Sequence, residues 1–283
     1  MKKYVDLIRV KHWIKNFLIF IPAVCARVLN VNSFITLLLG LIAFSFSSSF
    51  IYIINDIRDI EKDKQHPRKK NRPLPSGKIK KSTAVIIAII LLLASLCINF
   101  FITKSVFSLS LALIVSYIIV NLFYSFGLKN YAIIDIFLLA SGFIIRVYYG
   151  AAIVGVQVSN WLFLTILSAS LFLGLGKRRK ELENSKESRT VLKEYNEEFL
   201  NKFQYLSLTL MIVFYSLWSL EQTNNYIVFT IPLIIIIFMK YCLIVEKSDE
   251  GDPTTILYQD KLLLVLCFLY GIVMLLIFNG GIK

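Results

Sequence analysis

Nine apolar runs divide this chain, at 17–30, 34–54, 82–102, 107–126, 131–155, 160–176, 203–220, 226–245 and 262–279. They are long and do not alternate, so they read as helices crossing a membrane. In hydrocarbon an α-helix satisfies its own backbone polar groups, which an open strand cannot do. The sequence thus predicts an all-α integral membrane protein with nine transmembrane helices, in one polytopic domain over 1–283. Residues 1–16 read as an interfacial helix, with Trp13 suited to the headgroup layer. Two connections are long, 55–81 and 177–202, and the second mixes charge with Val191, Leu192, Tyr195, Phe199 and Leu200 as an amphipathic helix would. A third, Glu246–Lys261, is acidic and reads as a loop.

Charge sets the orientation. Of 31 Lys and Arg residues, 27 fall near one face: the first 16 residues, Arg58–Lys81, Lys129, Lys177–Lys202, and Lys240, Lys247 and Lys261. The positive-inside rule makes that face cytoplasmic, with the N-terminus inside and the C-terminus outside a plasma (inner) membrane. An odd number of crossings requires the same outcome. The net charge of +13 follows first from this topology and second suits anionic lipid and phosphate. The basic residues are scattered over membrane loops without aromatic interleaving, which excludes a nucleic-acid surface. Cys25, Cys97, Cys242 and Cys267 lie in or near apolar runs without CxxC spacing, so no disulfide or zinc site is expected. The run ending near Ala23–Ala26 has the outline of a cleaved leader, but removing it would break the charge pattern.

The stretch Asn55–Gly77, NDIRDIEKDKQHPRKKNRPLPSG, concentrates the chemistry. If the preceding helix continues, Asn55, Asp59, Asp63 and Asp56 project at roughly 0°, 40°, 80° and 100°, on one face. Ser48 and Tyr52 continue that face into the membrane. Oxygen donors so grouped suit Mg²⁺, which binds through a few carboxylates and takes other ligands from substrate phosphates. Asn55, Asp56, Asp59 and Asp63 are the candidate metal ligands, and Asp56, Asp59 and Asp63 the candidate catalytic groups. The alternative is a solvated helix end whose acids pair with Arg58, Lys62 and Lys64. In the basic loop that follows, His66, Lys69 and Arg72 are candidate substrate contacts, Lys69 and Arg72 foremost for phosphate. Pro67, Pro73 and Gly77 make the loop stiff and turned.

Other polar residues mark further candidates. Asp135 and Arg146, eleven residues apart, return to nearly the same helical face, and a buried arginine is costly unless it is paired or faces a wet cavity. They read either as a structural pair or as an anchor for an anionic group. Lys177 and Arg178 follow the sixth run and serve equally as topology anchors or phosphate contacts. Tyr124 and Lys129, and Lys15 and Asn16, sit at cytoplasmic span ends and are candidates for the same pocket.

These residues carry a resemblance. NDxxDxxxD closing the second of nine helices resembles the first aspartate-rich motif of the UbiA superfamily of intramembrane prenyltransferases, and the likeness runs nearly end to end. More narrowly, Arg9–Asn16 (RVKHWIKN), His66–Pro73 with Ser76-Gly77, Asp135 with Gly142–Arg146, and Lys177–Arg179 with Glu181 are similar to the decaprenyl-phosphate phosphoribosyltransferases. Prenyl-transferring members typically carry a second aspartate-rich motif after the sixth span. Here that connection has no aspartate; it has Lys177–Lys180 and glutamates at four-residue spacing, Glu183/Glu187 and Glu194/Glu198. Extra cations suit a donor with a 5-phosphate. The resemblance implies helices around a cytoplasm-facing cavity and Mg²⁺ as cofactor. It further implies transfer of a 5-phosphoribosyl group from phosphoribosyl diphosphate to a polyprenyl (decaprenyl) phosphate, with diphosphate released, in cell-wall precursor biosynthesis. Two alternatives stay open: a UbiA-type transferase moving a prenyl group to an aromatic acceptor, and a lipid or small-molecule transporter. Packing between membrane helices would also allow a homo-oligomer.

Overall fold

The structure, a computed structural model, describes residues 2–65, 69–184, 190–248 and 251–278. Among these residues every regular element is helical. In chain order they are α1 (Lys2–Ile8), a 3₁₀ segment (Val10–Phe20), α2 (Ile21–Cys25), α3 (Val31–Arg58), α4 (Ile60–Gln65), a 3₁₀ turn (Lys69–Asn71) and α5 (Lys81–Thr103). Then come α6 (Leu109–Phe126), a 3₁₀ turn (Leu128–Asn130), α7 (Ile134–Val154), α8 (Asn160–Glu183), a 3₁₀ turn (Thr190–Glu194) and α9 (Glu197–Glu221). A 3₁₀ turn (Asn225–Thr230) leads into α10 (Ile231–Lys247), followed by α11 (Pro253–Gln259) and α12 (Lys261–Phe278).

Eight helices are long and apolar enough to cross a membrane, and their bounds lie within a few residues of the sequence expectation except at the polar ends of α3, α8 and α9. The chain is a multi-pass membrane protein. The first expected run, 17–30, is divided instead. It holds the end of the 3₁₀ segment, the five-residue α2, a turn with Arg27 at φ 57°, and Asn30, which caps α3. The interfacial helix expected over 1–16 stops at Ile8, where Arg9 takes a left-handed φ of 53°.

Two compact units account for the chain. The first comprises Met1–Ile21, Asn30–Phe126 and Ile145–Gly155. Its axis is α3, started by a capping box in which the Asn30 side chain accepts from Ser33 N at 3.0 Å and Ser33 Oγ accepts from Asn30 N at 2.8 Å. Small residues let α5 approach α3 closely: Ser47 and Ser95 meet through their hydroxyls at 2.7 Å, and Ser95 Oγ also donates to the Ala43 carbonyl at 2.7 Å. The 3₁₀ segment is stitched to another stripe of α3. Trp13 Nε1 donates to Ser49 Oγ at 3.0 Å and Asn16 Nδ2 to Ser45 Oγ at 2.8 Å. Three residues make a 3₁₀ turn, so Trp13 and Asn16 align; four residues roughly make an α turn, so Ser45 and Ser49 align. The second half of α7 lies so near this segment that a Cβ on Gly150 would stand 2.0 Å from the Ile19 carbonyl oxygen. Leu7, Ile53, Leu74, Ile79, Ala84 and Ala88 close the polar-loop end of this unit with one apolar cluster.

The second unit comprises Pro22–Leu29, Gly127–Ile144 and Val156–Lys283. Here α8 and α9 pack along each other, with Gly176 against the Gln204 side chain. Lys177–Glu183, expected within a separate amphipathic connection, is the last part of α8. Its basic residues favour the negative end of the helix dipole, and Lys180 holds Glu183 at 2.6 Å one turn on. Among the described residues, the rest of that connection holds the 3₁₀ turn Thr190–Glu194 and the start of α9; Glu187 lies outside them. Ile136, Leu175, Val191, Leu192, Tyr195 and Leu200 form the core beneath it. The expected acidic loop 246–261 contains α11, whose N-terminus Asp252 caps by accepting from Thr254 N at 2.9 Å.

Because the Gly150 contact is with backbone rather than a movable side chain, Gly150→Ala is expected to lower stability by about 1–3 kcal/mol. Thermal unfolding of the purified variant in detergent measures this, and an unchanged midpoint would contradict the contact.

Candidate active site

The acidic motif sits where α3 gives way to α4. The helix is not continuous: Asp59 stands between the two with φ −93° and ψ 12°. The interruption is one residue long, and four-residue hydrogen bonds run through it, from Asp59 N to the Asn55 carbonyl at 2.9 Å and from Asp63 N to the Asp59 carbonyl at 2.7 Å. The spacing of the motif therefore survives the break.

Asp56 and Asp63 are buried, at 2% and 5% exposure, and are brought together by one cation. Arg72 Nη1 lies 3.3 Å from Asp56 Oδ1 and 2.7 Å from Asp63 Oδ2. Arg9 donates to the same Asp56 oxygen through Nη2, with its guanidinium 4.9 Å from the centre of the Tyr52 ring. Asn55 accepts from Ser125 of α6. Asp59 is half-buried beside them.

The loop bearing Arg72 is fastened from below. Pro73, Leu74 and Pro75 are buried, and Leu74 and Ile79 belong to the apolar cluster with Leu7 and Ile53. Arg72 N donates to the Lys69 carbonyl at 3.0 Å, and Ser76 N to the Arg72 carbonyl at 3.0 Å. Gly77 takes φ +74°, a conformation that glycine adopts without strain. Lys69 is half-buried in the same loop. His66, with Arg68, lies outside the described residues.

Deeper in the first unit, Arg146 is buried at 5% exposure. Its Nε donates to Asn16 Oδ1 at 2.7 Å and its Nη2 to the Tyr117 hydroxyl at 3.1 Å. The rings of Phe44 and Tyr117 lie 5.3 and 5.0 Å from the guanidinium carbon, so cation–π contact supplements the hydrogen bonds. Asn16 in turn donates to Ser45, which continues the chain of contacts. Lys15 and Tyr124 are half-buried in this unit.

Asp135, expected to share a face with Arg146, has its contacts in the second unit. Arg178 Nε donates to Asp135 Oδ2, and both side chains are fully enclosed. Arg178 also pairs with Glu181. The Tyr195 hydroxyl donates to Asp135 Oδ1 at 2.6 Å and accepts from Ile133 N at 2.6 Å. Burial, reinforced by the Asp135 carboxylate, holds the Tyr195 phenol above its ordinary pKa. Ile133 takes φ 69°, a strained conformation for a β-branched residue that Tyr195 helps to hold. Asp135 and Arg178 thus engage each other, while Arg179 is bound to Asn201 at 2.8 Å and to Glu246. The Lys177 side chain makes no hydrogen bond or ion pair among the described residues, and like Lys129 it is half-buried.

Among the described residues no three His, Cys, Asp or Glu side chains converge as a complete metal cage. What converges is a pair of carboxylates on one cationic nitrogen, and oxygen donors are the chemistry Mg²⁺ selects. Such a half-set fits an ion that completes its shell with phosphate oxygens and water. Sequence reasoning missed Arg9, Tyr117 and Ser125. In the sequence Arg9 reads as a topology charge and as part of the Arg9–Asn16 string, not as a partner of the acidic motif, and the hydroxyls of Tyr117 and Ser125, eight residues apart on one face, were the available signal.

Residues 16–272 match the UbiA prenyltransferase family. This chain belongs to that family. It is 30% identical to the decaprenyl-phosphate phosphoribosyltransferase of Corynebacterium glutamicum, over 95% of this chain and 85% of that one. With the Mycolicibacterium smegmatis protein of the same name the identity is 32%, over 93% and 88%. A solved UbiA homologue from Archaeoglobus fulgidus, bound to GPP and Mg²⁺, has the same fold, with a TM-score of 0.73 at 21% identity over 96% of this chain and 99% of that one.

Removing one partner of a buried ion pair leaves the other charge uncompensated. Asp135→Ala is therefore expected to lower stability by about 3–5 kcal/mol, whereas Asp135→Leu with Arg178→Met recovers most of the loss. Thermal unfolding of the two variants in detergent makes the comparison.

Proposed function

We propose that this UbiA-family enzyme transfers a 5-phosphoribosyl group from phosphoribosyl diphosphate to a polyprenyl phosphate and releases diphosphate. The observation that carries the reaction class is the convergence of buried Asp56 and Asp63 beside Arg72, a site for a metal-bound diphosphate. The choice of donor is supported by the relatives named above, which match nearly the whole chain.

Asp56 and Asp63, with Asn55 and Asp59 on the same face, would hold Mg²⁺. When bound, Mg²⁺ supplies Lewis-acid neutralisation of the leaving diphosphate. Arg72 and Lys69 meet the phosphate oxygens as the C1–O bond stretches toward an oxocarbenium-like state. Arg9 fixes the Asp56 carboxylate, and Ser125 fixes Asn55. The acceptor phosphate is already ionised and needs no strong base to attack C1. Its difficulty is repulsion between two anions, which basic side chains offset. Arg146, aligned by Asn16 and Tyr117, contributes one such positive charge within the first unit. In the second unit Lys177 is the cation assigned to an anionic group. Binding both substrates in register supplies the remaining advantage.

The site is assigned to the cytoplasmic face of the plasma membrane, with the N-terminus inside and the C-terminus outside. The distribution of basic residues supports this. The same distribution supports a ninth crossing, since an N-terminus inside and a C-terminus outside require an odd number.

Membranes carrying the protein, given labelled phosphoribosyl diphosphate and a polyprenyl phosphate, are expected to yield labelled lipid and diphosphate. Labelled prenyl diphosphate with an aromatic acceptor should yield no product; the opposite pattern would replace this reading with prenyl transfer. Asp59→Ala and Asp63→Ala are each expected to insert normally and lose at least about a hundredfold in kcat. Chelation should abolish turnover, and added Mg²⁺ should restore it.

A further inference from the structure

Arg72 and a divalent cation make the same demand on the site. One guanidinium nitrogen is within 3.3 Å of an Asp56 oxygen and 2.7 Å of an Asp63 oxygen, and both carboxylates are nearly closed to solvent. Mg²⁺ needs direct oxygen contact, at about 2.1 Å, and a divalent ion seated between the two carboxylates is repelled by a guanidinium held on both, so it and Arg72 compete for the pair. We propose that Arg72 is an exchangeable cation: donor loading moves it from Asp56 and Asp63 to the donor diphosphate, while Arg9 stays on Asp56. The inference rests on the functional reading above and goes beyond it by coupling metal affinity to the presence of the donor.

The two arginines differ in how they are held. Arg9 sits at the joint between α1 and the 3₁₀ segment, stacked over Tyr52 in a stretch pinned by Trp13–Ser49 and Asn16–Ser45. Its side chain is 20% exposed. The Arg72 side chain, 32% exposed, reaches in from a loop whose fastening is the buried Pro73–Leu74–Pro75 below it. Arg72 can swing between partners without disturbing that fastening. Arg72 bridges two close carboxylates, whose like charges in a poorly solvated site otherwise repel. A metal arriving alone must displace Arg72 and leave the guanidinium without an acceptor. A metal arriving with diphosphate brings that acceptor. Each ligand therefore raises the affinity for the other, and the coupling is reciprocal.

Mn²⁺ binding to the full-length protein in detergent, followed by electron paramagnetic resonance with and without inorganic pyrophosphate, tests this without turnover. In the natural protein pyrophosphate should tighten Mn²⁺ binding. Arg72→Ala should bind Mn²⁺ alone roughly tenfold more tightly and lose most of the pyrophosphate effect. Arg72→Lys, whose point charge bridges less well, should lie between. If Arg72→Ala does not fold, Arg72→Gln must meet the same requirement. Arg9→Ala should not tighten Mn²⁺ binding; equal tightening in both variants would mean simple relief of positive charge and overturn the exchange. Mn²⁺ binding no tighter in Arg72→Ala than in the natural protein also overturns it. Asp56→Asn and Asp63→Asn should lose Mn²⁺ binding under either condition. If they retain it, the metal reading falls and the exchange with it; if they lose it while Arg72→Ala is unchanged, only the exchange falls.

Discussion

Two carboxylates at the buried end of a membrane helix need cations close by, and the first unit is arranged around that requirement. Burying the Asp56 and Asp63 side chains at so little exposure is costly unless they are paired. Arg72 and Arg9 meet the cost from two directions, one from the loop after α4 and one from the joint after α1. The apolar cluster of Leu7, Ile53, Leu74 and Ile79 fastens the loop, the joint and the end of α3 together. Thus the ionic arrangement depends on ordinary hydrophobic packing a few residues away.

The second unit handles charge differently. Asp135 and Arg178 are fully enclosed, and their partners Tyr195 and Glu181 complete their hydrogen bonding. Such a pair sets the position of its elements and adds little net stability. It ties the start of α7, the end of α8 and the turn before α9 into one corner, at the expense of a left-handed Ile133. Arg178, which the sequence offers equally as a topology anchor or a phosphate contact, is engaged in this corner, whereas the side chain of its neighbour Lys177 has no such partner among the described residues.

Much of this architecture was legible before any coordinates. Eight of the long helices could be read because hydrocarbon imposes length and apolarity directly on sequence. The acidic motif could be placed because its spacing follows helical rotation, and backbone hydrogen bonds preserve that spacing across the break at Asp59. Other features depended on packing between distant segments. The 3₁₀ form of Val10–Phe20 matches the serine stripe of α3, which local propensity does not encode. Arg9 and Asp56 are 47 residues apart, and nothing local to either identifies the other. The KRRK run reads from sequence as part of an amphipathic connection because two of its carboxylate partners, Asp135 and Glu246, are far away in sequence.

The buried Pro73–Leu74–Pro75 has a consequence for how such an enzyme can diversify. The loop's fastening and its chemistry are on different residues: aliphatic ones below, cationic ones above. Side chains on the upper surface can be exchanged over generations while the underside keeps the loop in register. A lineage could therefore retune which activated sugar or isoprenoid it accepts without passing through forms that fail to assemble.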